Sequence, residues 1–299
     1  MSLIAFMGAI ETGLLFGLVA LGVYISFRIL DFPDLTVDGS FPLGAAISAT
    51  AIVAGINPWL ATAMALGGGA LAGALTAWLN VRLKILHLLA SILVMIALYS
   101  INLRIMGKPN VALLGETTLL TPVENWAMPY YFSIPLAFTG VVALTMVLVT
   151  LFLKSEIGLS MRATGANDRM ARAHGVATGW ITIVGMALAN ALVALAGSLF
   201  AQSQGSADVT MGVGVIVIGL AAVIGGEAIM STRTVVLAVV ACVLGAILYR
   251  LAIAFALNAD FIGLKAQDLN LITAALVTIA IVLPGLKKSW FGKRKGATP

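Results

Sequence analysis

The clearest shortage in this chain is charge. Only 10% of its 299 residues are Asp, Glu, Lys or Arg, whereas 61% are hydrophobic. A soluble domain usually carries about 25% charged residues, so this chain has too little polar surface to face water. Several apolar runs approach the ~20 residues that a helix needs to cross a bilayer, and they lack the alternation of a membrane β-barrel. We therefore predict an all-α polytopic membrane protein.

Residue patterns that carry catalysis or bind metals are also scarce. Cys242 is the single cysteine, so an intrachain disulfide is impossible and a cysteine-based metal site is not expected. The histidines, His87 and His174, stand far apart in sequence, and no HExxH motif occurs. No G-x-x-x-x-G-K-[ST] phosphate loop occurs either, so the chain cannot bind ATP in the P-loop manner. We predict no enzyme activity, no metal site and no cofactor in this chain.

The apolar runs divide into about nine candidate spans, within a range of eight to ten. They form a single transmembrane domain over residues 1–286, followed by a basic tail, 287–299. The cations of this tail predict a cytoplasmic C-terminus by the positive-inside rule, in preference to nucleic-acid binding. Counting back from the tail also places the basic loop 158–176 in the cytoplasm. The candidate spans are Gly8–Phe27, Gly39–Gly55, Pro58–Asn80, Leu86–Met106, Ser133–Leu153, Ala177–Ala201, Val209–Gly226, Thr234–Phe255 and Leu269–Leu283.

Two of these spans are preceded by short segments of similar sequence. Asp34-Leu35-Thr36-Val37 precedes the second span, and Asp208-Val209-Thr210-Met211 precedes the seventh. Both are followed by helices rich in small residues, and the two segments enter the membrane from opposite sides. This is the pattern of an inverted-topology repeat, whose interface builds the transport path in many transporters. Chance similarity of a short match is the competing explanation.

The segment Arg28–Pro42 is the first that could carry chemistry. Its acids alternate with apolar residues, unlike the sequence of a freely solvated loop, although a plain loop remains the alternative. A broken helix that lines a cavity fits this alternation better. We expect Asp38 to cap the second span with its carboxylate at the positive end of the helix. The predicted residues of the solute path are Asp31, Asp34, Thr36, Asp38, Ser40, Phe41 and Thr210.

The second such segment is the basic loop Gly158–Gly179. Asn167 or Asp168 can cap a short helix that Gly175 closes, and Arg169 and Arg172 share one face of it. One interpretation is an amphipathic helix on the lipid surface. Its apolar face is slight, however, and a small-residue helix with projecting arginines suits a groove in another protein.

These two segments resemble a known family. The loop is similar to the coupling loop of ABC-importer permeases of the branched-chain amino acid and ribose class, and the stretch from Asp31 to Ser40 resembles that of the tryptophan/tyrosine-type subgroup. The resemblance implies a bacterial inner-membrane complex of two permease subunits, identical copies being expected, with a cytoplasmic ATPase dimer that carries ATP and Mg. It also implies an extracytoplasmic binding protein. The matching loop positions are Arg162, Ala163, Gly165, Asn167, Ala171 and Gly175, to which Arg169 and Arg172 add the projecting charges.

The outer mouth of the bundle is where such a binding protein would dock. Gln202, Gln204 and Asp208 lie there in the predicted topology. The function that follows is that of a permease subunit translocating a small solute, an amino acid by resemblance. An ion-coupled secondary transporter is the first alternative, and it would need a mid-span carboxylate. A membrane scaffold that recruits a cytoplasmic partner is the second.

Overall fold

The computed structural model describes residues 3–124, 129–257 and 278. Helices dominate these residues, which confirms the all-α prediction. The ninth candidate span, Leu269–Leu283, and the basic tail 287–299 lie outside the described residues. The α-helices are α1 Leu3–Val23, α2 Val37–Val53, α3 Pro58–Leu83, α4 His87–Met106, α5 Thr121–Glu124, α6 Tyr130–Lys154, α7 Glu156–Ala166, α8 Asp168–Ala173, α9 Thr178–Gln204, α10 Val215–Ile229 and α11 Val235–Leu257.

Within the described residues, six helices are long and apolar enough to cross a membrane. The first of them is α1 together with a π-helix, Tyr24–Ile29, that continues it, and the others are α3, α4, α6, α9 and α11. The remaining apolar helices, α2 and α10, are shorter, with 17 and 15 residues. Eight of the nine candidate spans thus correspond to helices, and the count of nine stays a prediction.

A small antiparallel sheet marks one end of the bundle. Strand β1, Asn110–Ala112, pairs with β2, Ser206–Asp208, so that Val111 lies opposite Ala207. We call this end the strand end. Helices α7 and α8 follow the far end of α6 and precede α9, so they lie at the opposite end, which we call the loop end.

Glycines let the long helices pack with their backbones in contact. A Cβ atom added to Gly73 on α3 would lie 2.1 Å from the carbonyl oxygen of Met186 on α9. A Cβ added to Gly13 on α1 would lie 2.9 Å from the Cα of Ile247 on α11. Such distances exclude any side chain, as in other small-xxx-small helix contacts. These glycines therefore serve packing within the bundle.

The basic loop folds into two helices, where the sequence had indicated only the second. Ser155 begins α7 by accepting a hydrogen bond from the N–H of Gly158 at 3.4 Å. Asn167 begins α8 by accepting one from Met170 at 3.0 Å, and Gly175, with φ +85°, follows its end as predicted. Helix α7 was not predicted, because its two glycines, Gly158 and Gly165, are poor helix formers. In the fold Gly165 is required, since its Cβ would lie 1.9 Å from the Ile29 carbonyl oxygen.

Candidate functional site

Two half-helices meet head to head inside the bundle. Both α2 and α10 fall short of the ~20 residues that span a bilayer core. Their N-termini are joined by Asp38 in the first turn of α2, whose carboxylate oxygens accept the N–H groups of Gly214 at 3.1 Å and Ile216 at 2.8 Å. From this junction the two helices run in opposite directions. Helix α2 leads to the strand end, where Ile52 packs with Val111, and α10 leads to the loop end.

The prediction that Asp38 caps α2 was wrong, because Asp38 caps a different helix. Thr36 is the N-cap residue of α2, and it makes no side-chain cap bond. The carboxylate of Asp38 instead caps α10, a segment 176 residues away. The first N–H groups of a helix have no partner within it, and its N-terminus carries partial positive charge. Asp38 satisfies both requirements for α10.

The two similar segments, 34–37 and 208–211, have the same local structure. The side chain of Asp34 accepts the N–H of Thr36 at 2.9 Å, and that of Asp208 accepts the N–H of Thr210 at 2.7 Å. Each is an Asx-turn, in which the carboxylate substitutes for a backbone acceptor. Each precedes a half-helix, and the half-helices run in opposite directions. The two segments therefore belong to a structural unit that occurs twice, with inverted direction.

A buried polar network fixes the first copy. Asp34 is only 2% exposed, and its second carboxylate oxygen accepts from the side-chain amide of Asn190 on α9 at 2.7 Å. The hydroxyl of Ser40 donates to the carbonyl oxygen of the same amide at 2.7 Å. The hydroxyls of Thr36 and Thr76 are 2.8 Å apart, which joins the segment to α3. These residues hold the half-helix in place from inside the protein.

Phe41 has a related position. Its ring stacks on Phe16 of α1 at 5.8 Å between centroids and contacts Phe200 of α9 at 5.6 Å. It is 1% exposed, so it belongs to the packed core. Of the predicted path residues, four are thus buried and support the half-helix junction without lining a cavity beside it: Asp34, Thr36, Ser40 and Phe41.

Asp38 and Thr210 line a common cavity. Its volume is about 450 Å³, and it lies where the start of α2 meets α4 and the turn before α10. Val213 at its edge is 82% exposed, so the cavity opens sideways onto the surface of the described bundle. The lining residues are Asp38, Gly39, Pro42, Met95, Ile96, Tyr99, Ser100, Asn102, Val209, Thr210 and Val213.

Asp31 lies elsewhere, in a second cavity at the loop end. This cavity, about 690 Å³, also contains the ion pair of Arg28 with Glu227, whose Nε and Oε1 atoms are 2.8 Å apart. Arg162 of α7 lines the same cavity, and its Nε has no hydrogen-bond partner among the described residues. The structure therefore separates Asp31 from Asp38, and it separates Arg162 from the arginines of α8.

The rest of the basic loop forms an outward surface at the loop end. Arg169 is exposed, as are Ala163 and Asn167, and Met170, the residue after Arg169, is 60% exposed. Arg172 is partly engaged, since it pairs with Asp168 and donates from Nε to the Thr178 hydroxyl at 3.0 Å. We call the exposed side of α8 with the adjoining part of α7 the α8 surface.

The three predicted docking residues at the strand end differ in how exposed they are. Gln202 is 5% exposed; its amide donates to the Thr62 hydroxyl at 3.1 Å and accepts the N–H of Leu119 at 3.0 Å. Its internal position corrects the prediction that it forms part of an outer surface. Gln204 is exposed and Asp208 is partly exposed on β2. The hydroxyl and N–H of Thr210 hold the pKa of the Asp208 carboxyl below its usual range.

Sequence reasoning missed two amides of the site. Asn190 bridges Asp34 and Ser40, and Asn102 of α4 lies beside Gly39 with its Nδ2 atom 3.2 Å from that carbonyl oxygen. The available signal was an uncharged polar side chain within each apolar run. Interhelical hydrogen bonds are a common use of such residues in membrane bundles.

The fold and its paired half-helices define a multi-span membrane transport protein. The chain belongs to the family described as "Branched-chain amino acid transport system / permease component", whose model matches residues 6–283. It is therefore a permease component of the ABC type. Members of this family are transport subunits, which agrees with the prediction that the chain is no enzyme.

Two relatives support this assignment, and one solved structure has a similar fold. A "Tyrosine transport system permease protein" of Clostridioides difficile (strain R20291) is 40% identical over 272 residues, which are 91% of this chain and 88% of the relative. An uncharacterized protein of Rickettsia prowazekii (strain Madrid E) is 34% identical over 279 residues, covering 91% and 95%. The structure of PsaBC from Streptococcus pneumoniae in complex with Fab has a similar fold, with a TM-score of 0.55 at 14% identity, covering 92% of this chain and 89% of that chain.

Proposed function

We propose that this chain imports an amino acid or a related small solute, and that the solute passes the head-to-head junction of α2 and α10. The observation that carries this proposal is the meeting of two oppositely directed half-helices at Asp38, beside a cavity. Transporters commonly bind solutes where discontinuous helices end near the middle of the membrane. The name of the Clostridioides relative favours tyrosine or a similar amino acid as the solute.

The lateral opening of this cavity favours a second copy of the chain as its cover. Asp38 and Thr210 are polar, and they line a cavity whose edge is exposed at Val213. Ionisable and polar groups at membrane depth face protein or water, because lipid contact is unfavourable. A second, identical subunit facing this opening would complete a closed path between the two copies.

The α8 surface is the proposed contact for the ATPase. Its exposed Arg169 and Met170 present a charge and an apolar group side by side. We assign this end of the bundle, and the C-terminus, to the cytoplasm. ATP and Mg would be held by that partner, and its closure would act on the permease through differential contacts with α7 and α8. We place the permease in the bacterial inner membrane. At its opposite end, Gln204 and Asp208 are the proposed contacts for an extracytoplasmic binding protein.

Thiol labelling tests the path. Cys242 is buried, and its replacement by Ala gives a background without other cysteines. In that background Thr210→Cys should react with a membrane-impermeant maleimide, and the rate should change when ATP is added to the reconstituted complex. Thr117→Cys is the control, because Thr117 is exposed in the loop after β1 and does not line the cavity; its labelling rate should not change with ATP. A labelling rate at residue 210 that does not change with ATP would contradict the proposed path.

Charge reversal tests the ATPase contact. Arg169→Glu combined with Met170→Asp should abolish co-purification of the ATPase, because both exposed groups of the α8 surface change. Lys154→Glu is the matched control, since Lys154 is exposed at the end of α6, close in sequence but outside that surface. Retained association in a folded double variant would contradict the contact. A transport activity that needs no ATP but collapses with an ion gradient would favour the secondary transporter instead.

A further inference from the structure

We propose that the cavity at the half-helix junction is an amine-recognition subsite, which takes the protonated amino group of a solute with an apolar or aromatic body. This inference rests on the proposed function, because it names what the same cavity would recognise. The junction offers two opposite preferences, because the α2 and α10 N-termini favour a carboxylate whereas the acids nearby favour an ammonium group.

The first observation is an unsatisfied acceptor. Asn102 is 0% exposed, and its Nδ2 atom donates to the carbonyl oxygen of Gly39 at 3.2 Å. Its Oδ1 atom has no hydrogen-bond partner among the described residues. The amide cannot be turned over, because Oδ1 would then face the Gly39 carbonyl oxygen, and two acceptors cannot share a hydrogen bond. A buried acceptor without a donor costs free energy, which a ligand N–H would recover.

The second observation is the acceptor capacity of Asp38. A carboxylate offers about four acceptor positions, and only two N–H groups reach this one. An ammonium group carries three donors on one atom, so it matches a cavity wall built from acceptors.

The third observation concerns charge. Among the described residues that line the cavity, Asp38 is the one ionisable acid, and none is Lys, Arg or His. The carboxylate of Asp38 already occupies the positive end of α10. A solute carboxylate placed there would meet a like charge without a cation to offset it, which is unfavourable. An ammonium group would instead meet an opposite charge.

The remaining walls define the body of the ligand. Met95, Ile96, Tyr99 and Val213 supply apolar or aromatic surface around the acceptors. The volume of about 450 Å³ falls in the ordinary range for small-molecule sites. Methionine sulfur and aromatic rings make favourable contacts with one another, which suits an aromatic solute beside Met95.

Three probes with one ring system separate the chemistry. They are L-tyrosine, which has both groups, tyramine, which has only the amine, and 3-(4-hydroxyphenyl)propionate, which has only the carboxylate. We expect tyrosine and tyramine to raise the thermal unfolding temperature of the purified full chain, and the propionate to leave it unchanged. Stabilisation by the propionate equal to that by tyramine, or stabilisation by none of the probes, would overturn the inference.

Matched variants locate the recognition. Asn102→Leu removes the free acceptor and should weaken tyramine binding about tenfold, a factor that corresponds to about 1.4 kcal/mol. Ile101→Ala changes the neighbouring position on α4 and should leave the affinity within about twofold, because Ile101 does not line the cavity. If Asn102→Leu does not fold, Asp38→Asn gives a second test: its tyramine affinity should fall while its affinity for the propionate rises. Unchanged selectivity between these two probes in Asp38→Asn would overturn the inference.

Failure of this inference differs from failure of the transport path. If amine probes do not bind but labelling of Thr210→Cys still responds to ATP, the cavity is a path without amine recognition. If amine probes bind but labelling ignores ATP, the cavity is a binding site outside the path.

Discussion

The two segments that lead into the half-helices share one turn and differ in everything around it. Asp34 and Asp208 each accept the N–H of a threonine two residues later. Asp34 is buried and bonded to α9 through Asn190, whereas Asp208 is partly exposed and bonded chiefly to Thr210 itself. The same local motif therefore builds an internal anchor at one half-helix and a surface turn at the other.

This difference indicates where the site is rigid and where it can respond. A buried carboxylate with partners on other helices cannot leave its place without exposing unpaired donors. A surface turn held mainly by its own residues has water as an alternative partner. The α2 side of the junction is therefore the fixed wall, and the turn before α10, which contributes Thr210 and Val213 to the cavity, is the adjustable one.

The largest effect is expected from removing the anchor. Asp34→Ala should lower the free energy of unfolding by about 1–3 kcal/mol for each of the two donors left unpaired, the Thr36 N–H and the Asn190 amide. The unfolding temperature in detergent measures this change. The matched variant Asp208→Ala should cost much less, because water can replace the lost carboxylate. Equal losses in the two variants would remove the distinction between anchor and surface turn.

The next effect concerns the contact between the two segments. A Cβ at Gly212 would lie 2.0 Å from the Asp38 carbonyl oxygen, whereas one at Gly39 would meet mainly the Leu98 side chain at 2.9 Å. Gly212→Ala should therefore cost about 1–3 kcal/mol, and Gly39→Ala less, since a side chain can move aside and a backbone cannot. Gly67→Ala is the control, because nothing lies within 4 Å of a Cβ there. A Gly39→Ala loss equal to or above that of Gly212→Ala would contradict this packing.

The smallest effect is a pH dependence at the surface turn. The pKa of Asp208 is lowered in the fold by the Thr210 hydrogen bonds, so its stabilising contribution is present above the ordinary aspartate pKa of about 3.9. That contribution is lost as the pH falls through the lowered folded value. Asp208→Asn should therefore unfold slightly more easily than the parent near neutral pH and equally easily at strongly acidic pH. A difference that persists unchanged into acid would show that the carboxylate charge is not involved.

Long apolar runs made the bundle predictable, and the exceptions have local causes. The span expected to start at Val209 starts as helix at Val215, because the apolar residues before it form a turn that ends in Gly214 with φ +82°. Helix α7 was missed because Gly158 and Gly165 are poor helix formers.

The site was predictable in outline from the paired Asp-x-Thr segments. Its partners were not, since the N–H groups that Asp38 accepts are 176 and 178 residues away, and no local pattern specifies them. Asn102 and Asn190 were missed for a similar reason. A single amide in an apolar run shows that a polar partner is needed, but only the packing of α2 against α4 and α9 shows which one.

The contact of Gly165 with Ile29 has a consequence for how motion travels through the molecule. Here the backbone of α7 lies directly against the backbone of the π-helix, with no side chain between them that could change rotamer or protonation. A shift of α7 must therefore displace the chain that leads into the half-helix, and Asp31, at φ +53°, stands at the bend just beyond this contact. Because this contact is steric, the motion that it transmits should be nearly independent of pH and ionic strength, unlike the recognition events at either end of the molecule.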